Sequence, residues 1–264
     1  MSLSDIDFAQ RYRDHVGRNA RPRREASDWD RRAPAMGTRT FESAYTRAFT
    51  ACVDLTGCDT LLDVGCGPGT ISLTLAPRLA HVYGLDYSPG MLAAFAGQAA
   101  ARGLTNASAI LRAWDEDWSD VPMCDIAVAS RATAVPDFEA AARKLAAKAR
   151  RRVYLTYPAH GRFVGDDVCR TLGRPREPLP DYLHVMGILH HLGIHPALDY
   201  LSDANRFAGC AGVDDFLARV ADLAGDLSVD DVAAAREYFD RHRDRIGLEP
   251  MRWALFSWNV EEPA

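Results

Sequence analysis

The clearest chemical pattern in this chain is a glycine-rich segment, LDVGCGPGT, at residues 62–70. Glycine permits backbone angles that are closed to other residues and lets the main chain approach a ligand closely. Because apolar residues precede the glycines, the segment predicts a buried strand that ends in a tight turn. In an open α/β sheet the turn that follows such a strand lies at the ligand-binding edge.

An acid, Asp86, follows the glycine-rich segment at a spacing that suits a nucleoside ligand. Residues 81–86 predict another strand, which ends at Asp86. The ends of neighbouring parallel strands meet at one edge of a sheet, and a carboxylate there can accept hydrogen bonds from both ribose hydroxyls. A phosphate-binding Walker turn is excluded because its lysine is missing. The third glycine of a dinucleotide turn would fall at Thr70, which argues against a nicotinamide dehydrogenase.

LDVGCGPGT followed by GLDYSPGML at residues 84–92 resembles the first two motifs of class I S-adenosylmethionine (SAM)-dependent methyltransferases, particularly those that act on small molecules. The resemblance implies SAM as cofactor and S-adenosylhomocysteine (SAH) as product. It assigns the amino-acid end of SAM to Asp63, Gly65 and Gly67, the ribose to Asp86, and the two sides of the adenine to Tyr87 and Met91. Cys66 within the turn and Ser130 after the fourth strand complete this predicted set.

The third motif of the family departs from its usual form. Relatives often carry Gly-Asp-Ala here, with the acid on the adenine amino group, whereas Ala113 takes the place of the acid in this chain. Two neighbours remain as alternatives for the adenine contact. Asp115 can replace the acid, or Trp114 can stack on the base.

Alternating strand and helix patterns must position these residues. Strands are predicted at residues 60–64, 81–86, 108–113, 124–130, 152–157, 196–202 and 249–260. Helices are predicted at residues 70–79, 89–103, 137–150, 182–192, 212–224 and 228–243. This alternation predicts an α/β fold: a doubly wound, mostly parallel, seven-stranded sheet with helices on both faces.

Two parts lie outside that alternation. Residues 1–40 predict an N-terminal helical cap, in which residues 28–33 resemble the helix that covers SAM in many relatives and Trp29 is a candidate substrate contact. Residues 41–264 predict the methyltransferase domain, with a helical insertion at about 203–245 before the last strand.

The acceptor is expected over the ends of the fourth and fifth strands. Arg131 can clamp a carboxylate or phosphate with its planar fork, or it can pair with a nearby acid. The candidate general bases are His160 and His184, and the further substrate-binding candidates are Tyr157 and Tyr182. No metal is assigned, because helical spacing separates the histidines at 184, 190, 191 and 195.

Composition bounds the partners. The net charge of −5 gives no support for a nucleic-acid partner, and the resemblance implies a small-molecule substrate. The first alternative is a tRNA or rRNA methyltransferase that uses the early arginines: Arg11, Arg13, Arg18, Arg21, Arg23, Arg24, Arg31, Arg32 and Arg39. The second is a SAM-binding protein without catalysis. No signal peptide, membrane span or disulfide framework is predicted, so we expect a cytoplasmic protein, with monomer and homodimer left open.

Overall fold

The structure is a computed structural model, and it describes residues 5–18, 25–36, 40–160, 165–175 and 178–260. Within these ranges, seven strands form one sheet in the order β3-β2-β1-β4-β5-β7-β6. The strands are β1 Thr60–Val64, β2 His81–Asp86, β3 Ala107–Leu111, β4 Cys124–Ala129, β5 Ala149–Pro158, β6 Ala197–Asp203 and β7 Met251–Asn259.

The sheet is mostly parallel. The pairs among β1 to β5 are parallel, whereas β7 pairs antiparallel with both β5 and β6. Because β5 and β6 both run opposite to β7, they are parallel to each other, and the carboxyl ends of β1 to β6 lie at one edge of the sheet. We call this edge the ligand edge, since α/β sheets bind ligands beyond the carboxyl ends of their strands.

Helices cover both faces of this sheet, which confirms the predicted fold class. On one face Tyr12, Phe138 and Ile188 lie in a buried cluster contributed by α1 Phe8–Arg18, α6 Phe138–Ala147 and α8 Tyr182–His191. On the other face Tyr45 and Phe95 lie in a second cluster contributed by α3 Ala44–Cys52, α4 Ser72–Leu75 and α5 Pro89–Ala101.

Three further helices have a buried core of their own. The cluster joins α7 Asp166–Thr171, α9 Val213–Ala224 and α10 Val229–His242 through Val168, Phe216 and Phe239, each less than a tenth exposed. The helices α9 and α10 enter between β6 and β7 of the same sheet, as the sequence predicts for the insertion. The structure adds α7, which follows β5, to the same helical body.

Several predicted boundaries are wrong. The helix predicted at 70–79 is only α4 followed by a 3-10 turn, Ala76–Arg78, because Pro77 lacks the N–H that an α-helix needs. The helix predicted at 137–150 ends at Ala147, since Ala149 already pairs with Cys124 in the sheet. The third strand ends at Leu111 and not at residue 113.

The N-terminal cap contains α1 and α2 Ala26–Arg32, followed by a 3-10 turn at Ala33–Ala35. α2 contains residues 28–32 of the segment predicted to cover the cofactor. Four of the early arginines, Arg21, Arg23, Arg24 and Arg39, lie outside the described residues.

Candidate functional site

The glycine turn, residues 65–69, follows β1 at the ligand edge. Gly65 and Gly67 have φ angles of 67° and 54°, in the left-handed region that favours glycine. The amides of Gly65 and Cys66 both donate to the carbonyl of Leu85, at 2.7 and 3.0 Å, which ties the turn to β2. A Cβ at Gly65 would lie 2.3 Å from the Cβ of Ala132, so only glycine fits against the loop that follows β4.

Asp86 lies beside this turn at the end of β2. Its carboxylate accepts hydrogen bonds from the amides of Gly67 and Ser88, each at 2.9 Å. The side chain is 7% exposed, and this burial raises the pKa of its carboxyl above the ordinary value. The hydrogen bonds from these two amides oppose that shift in the pKa, since they stabilise the charged form. The geometry leaves a fixed carboxylate at the ligand edge, one strand away from the glycine turn.

Asp63 lies beneath the turn and has almost no exposed surface. It accepts hydrogen bonds from the amide and the hydroxyl of Ser72, at 3.2 and 2.8 Å, which holds α4 against β1. Burial raises the pKa of Asp63 to about 6. The thiol of Cys66 is also buried, and burial raises its pKa well above the usual range. In this conformation both side chains support the turn from below.

The covering helix α2 is attached to the start of α5. Asp30 accepts hydrogen bonds from the hydroxyl of Ser88 at 2.6 Å and from the amide of Gly90 at 2.7 Å. A Cβ at Gly90 would lie 2.7 Å from a carboxylate oxygen of Asp30, so glycine permits this close approach. Trp29 is half-buried, with the Arg32 guanidinium 6.0 Å from its ring centre. The cap therefore reaches the residues that follow Asp86.

The residues predicted around the adenine lie near these elements. Tyr87 is half-buried beside Asp86, and Met91 is buried in the first turn of α5. Its sulfur would be 3.8 Å from a Cβ at Gly67, so Met91 lies next to the glycine turn. Asp115 is exposed.

Trp114 links the loop after β3 to the loop after β4. Its indole N–H donates to the carbonyl of Ala132 at 3.1 Å, and its ring lies 5.2 Å from that of Trp118. Ala113 is half-buried, and its carbonyl accepts from the indole of Trp118 at 2.8 Å. Trp114 thus joins the two loops through a specific hydrogen bond in addition to packing.

Residues 130–133 follow β4, and we call them the acceptor turn after the role predicted for them. The Ser130 hydroxyl is hydrogen-bonded to the hydroxyl of Tyr45 at 2.8 Å. Arg131 has a φ of 58°, which is uncommon for a residue other than glycine. Its guanidinium pairs with Asp203 at 2.7 Å and lies 4.4 Å from the ring centre of Tyr45. Of the two roles left open for Arg131, this conformation contains the ion pair with an acid.

The other predicted acceptor residues are spread over the ligand edge and the α1 face. His160 is exposed in the turn after β5, directly beyond the strand end. Tyr157 is fully buried against Tyr12 and Phe138, so contact with an acceptor would require that it be uncovered.

Tyr182 and His184 lie on α8. The Tyr182 ring meets Tyr200 of β6 edge-on at 5.7 Å. His184 bonds Asp181 at 3.2 Å and meets Phe8 of α1 edge-on at 6.5 Å, which places its ring in the contact between two helices.

Two site residues escape sequence reasoning altogether. Tyr45 lies on α3, which no pattern predicted, and Asp203 ends β6 without any recognisable motif. The only available signal for α3 is Ser43, whose side chain caps the helix by accepting from the amide of Thr46 at 3.0 Å.

The residues at the ligand edge fit SAM. A buried carboxylate suits a ribose diol, and a glycine turn lets the main chain approach a ligand. A family model described as "Methyltransferase domain" matches residues 61–153, which include the glycine turn, Asp86 and the acceptor turn.

Comparisons with known proteins extend this match. The chain is 32% identical over 267 aligned residues to an uncharacterized protein of Haemophilus influenzae, covering 99% of each. Its fold is similar to that of magnesium protoporphyrin IX methyltransferase from Synechocystis with bound SAH, at a TM-score of 0.56, 20% identity, and coverage of 76% of this chain and 95% of that chain. It is also similar to a chain in the complex between the Trm112 methyltransferase activator and a methyltransferase of Haloferax volcanii, at a TM-score of 0.56, 16% identity, and coverage of 96% and 99%.

Residues 61–153 form a methyltransferase domain, and the fold of the chain is similar to that of methyltransferases crystallised with SAH or SAM. In the ranges that the structure describes, each helix is too short or too polar to cross a membrane.

Proposed function

We propose that this enzyme transfers the methyl group of SAM to a small-molecule acceptor held at the ligand edge. We infer a helical roof over that edge, formed by α2 of the cap together with α7, α9 and α10, and the observation that carries it is the ion pair between Arg32 of α2 and Asp222 of α9. An edge that helices cover from both sides suits a small acceptor better than it suits a large macromolecule with a flat surface.

The roof follows from the topology. β5 and β6 both end at the ligand edge, so α7 and α9, which follow them, begin on that side of the sheet. α2 comes from the opposite direction, over the start of α5. The two parts meet where Arg32 of α2 pairs with Asp222 of α9 at 2.6 Å.

The cofactor supplies a methyl group on a positively charged sulfur, which is already activated for transfer. The proposed role of the protein is to orient the reactants, which can lower the barrier to transfer by roughly 7–11 kcal/mol. Asp86 would hold the ribose, the glycine turn the amino-acid end, and Tyr87 and Trp114 the adenine.

The proposed acceptor contacts lie beyond the ends of β4 and β5. A guanidinium suits a carboxylate or phosphate, and Arg131 is our candidate for an anionic group of the acceptor. His160 is our candidate base because it is exposed beyond β5; a base is needed only for an acceptor that must lose a proton.

The charges near the cap favour this proposal over an RNA acceptor. Arg13 lies 3.6 Å from Asp137 and 3.5 Å from Glu139, and Arg32 pairs with Asp222, so these cations already have acidic partners.

The test is methyl transfer from SAM carrying a labelled methyl group to two fractions of a cell extract, small metabolites and total RNA. We expect label in a small-molecule product and none above background in RNA. Asp86→Ala is the control, since it removes the carboxylate proposed to hold the ribose and should lower the signal about ten-fold or more at a SAM concentration below the Kd. Label that appears in RNA alone would overturn the proposed acceptor class.

A further inference from the structure

We propose that Tyr45 is a positioning residue for methyl transfer: its hydroxyl and ring fix the acceptor turn, and with it Ser130 and Arg131, in the geometry that receives the acceptor. This inference rests on the proposed function for its activity readout. Tyr45 has no exposed surface, so it acts through these neighbours.

The hydroxyl of Tyr45 joins two strand ends. It lies 2.8 Å from the Ser130 hydroxyl and 2.9 Å from the Thr156 hydroxyl, and Thr156 in turn accepts from the amide of Arg131 at 2.9 Å. The hydroxyls thus form one chain that ends on the main chain of the acceptor turn. Burial raises the pKa of Tyr45, so its hydroxyl keeps its proton at neutral pH and can both donate and accept.

The ring of Tyr45 holds the other end of the same residue. The Arg131 guanidinium lies 4.4 Å from the ring centre, which is within the range of a cation–π contact. On its far side the guanidinium pairs with Asp203, and both side chains are less than a third exposed. Trp253 of β7 meets the Tyr45 ring edge-on at 6.2 Å and limits its movement.

The acceptor turn needs such support because its backbone is unfavourable. Arg131 has a φ of 58°, and left-handed geometry at a residue with a Cβ persists only where surrounding contacts enforce it. Further contacts come from the Thr133 hydroxyl, which donates to the Thr156 carbonyl at 2.5 Å, and from Trp114, which donates to the Ala132 carbonyl at 3.1 Å. Tyr45 is the residue that contacts both the Ser130 hydroxyl and the Arg131 side chain.

The first test is Tyr45→Phe, which keeps the ring and removes the hydroxyl. We expect the rate of methyl transfer to the small-molecule fraction to fall about ten-fold, the factor for losing one or two buried hydrogen bonds. The Kd for SAH should rise less than the rate falls, by no more than about three-fold in calorimetry, because the Tyr45 hydroxyl bonds to Ser130 and Thr156 rather than to the glycine turn or Asp86.

Tyr154→Phe is the matched control. Tyr154 lies on the same strand as Thr156 and accepts from the amide of Asp54 at 3.0 Å, so it loses a comparable bond away from the acceptor turn. We expect its transfer rate to stay within about two-fold of the wild type. A second pair of variants guards against a folding defect: Thr156→Val should reproduce the loss, and Thr156→Ser should restore the rate.

A readout without any acceptor separates this inference from the proposed function. Hydrogen exchange of the Arg131 amide, in free protein, should become about ten-fold faster in Tyr45→Phe and stay unchanged in Tyr154→Phe. If the wild type methylates no small molecule but the exchange result holds, the proposed acceptor class fails and the positioning role stands. Unchanged exchange, or equal activity losses in the two tyrosine variants, would overturn the role of Tyr45.

Discussion

Gly65→Ala tests how tightly the glycine turn is packed against the acceptor turn. Two costs follow from the structure. The φ of 67° at Gly65 lies in the left-handed region, which costs a residue with a Cβ about 1–2 kcal/mol. The new Cβ would also lie 2.3 Å from the Cβ of Ala132, an overlap that forces the backbone to move. Overpacking of this kind costs about 1–3 kcal/mol.

The sum is a loss of roughly 2–5 kcal/mol in the free energy of unfolding, which corresponds to a fall in Tm of roughly 5–15 °C for a chain of this size. Because the turn must shift, we also expect the Kd for SAH to rise at least about ten-fold. Thermal and urea unfolding give the first quantity, and calorimetric titration with SAH gives the second.

Gly103→Ala is the matched control. Gly103 has the same φ of 67°, but a Cβ added there would meet open space among the described residues, with no neighbouring atom within 4 Å. Its free energy of unfolding should fall only by the cost of the left-handed backbone, about 1–2 kcal/mol. The double variant Gly65→Ala/Ala132→Gly removes the overlap and should show a favourable coupling of about 1–3 kcal/mol in a double-mutant cycle. Equal destabilisation by Gly65→Ala and Gly103→Ala, or a coupling of zero, would refute the close contact of the two turns.

Three further predictions concern charged groups. Asp86→Ala should raise the Kd for SAH about ten- to hundred-fold by calorimetry, because a charged hydrogen-bond acceptor is lost; an unchanged Kd would remove Asp86 from the cofactor site. Asp63 has a folded pKa of about 6, above its unfolded value, so its contribution to stability is present below about pH 4 and lost as the pH rises through 6. Relative to the wild type, the free energy of unfolding of Asp63→Asn should therefore increase by up to about 3 kcal/mol as the pH rises from about 4 to 7, as measured by urea unfolding. A difference that does not depend on pH would contradict this. Arg32→Ala should lower stability by less than about 1 kcal/mol, as exposed ion pairs do, yet raise the acceptor KM by opening the roof at Asp222; an unchanged KM would count against the roof.

The sequence predicts the glycine turn and the strands beside it well because these features are local. β1 and β2 have the predicted bounds; the glycine turn follows β1 directly, and Asp86 is the last residue of β2. Ser88 caps α5 with Pro89 in its first turn, as the pattern indicates. Each of these features depends on residues within a few positions of one another, so spacing alone reveals them.

The acceptor half depends on contacts between residues far apart in the chain. Tyr45 and Thr156 are separated by 111 positions, and Arg131 and Asp203 by 72. Their meeting requires β7 to insert antiparallel between β5 and β6, an order that local patterns do not specify. The predicted helix end at 150 is also wrong for a non-local reason, because pairing with β4 overrides the helical pattern at Ala149.

A crystal structure with SAH bound tests the account most directly. We predict that both ribose hydroxyls bond the carboxylate of Asp86, that the amino-acid end lies on the glycine turn, and that the sulfur faces the acceptor turn beside Ser130. SAH bound elsewhere, or bound with its ribose away from Asp86, would contradict the account.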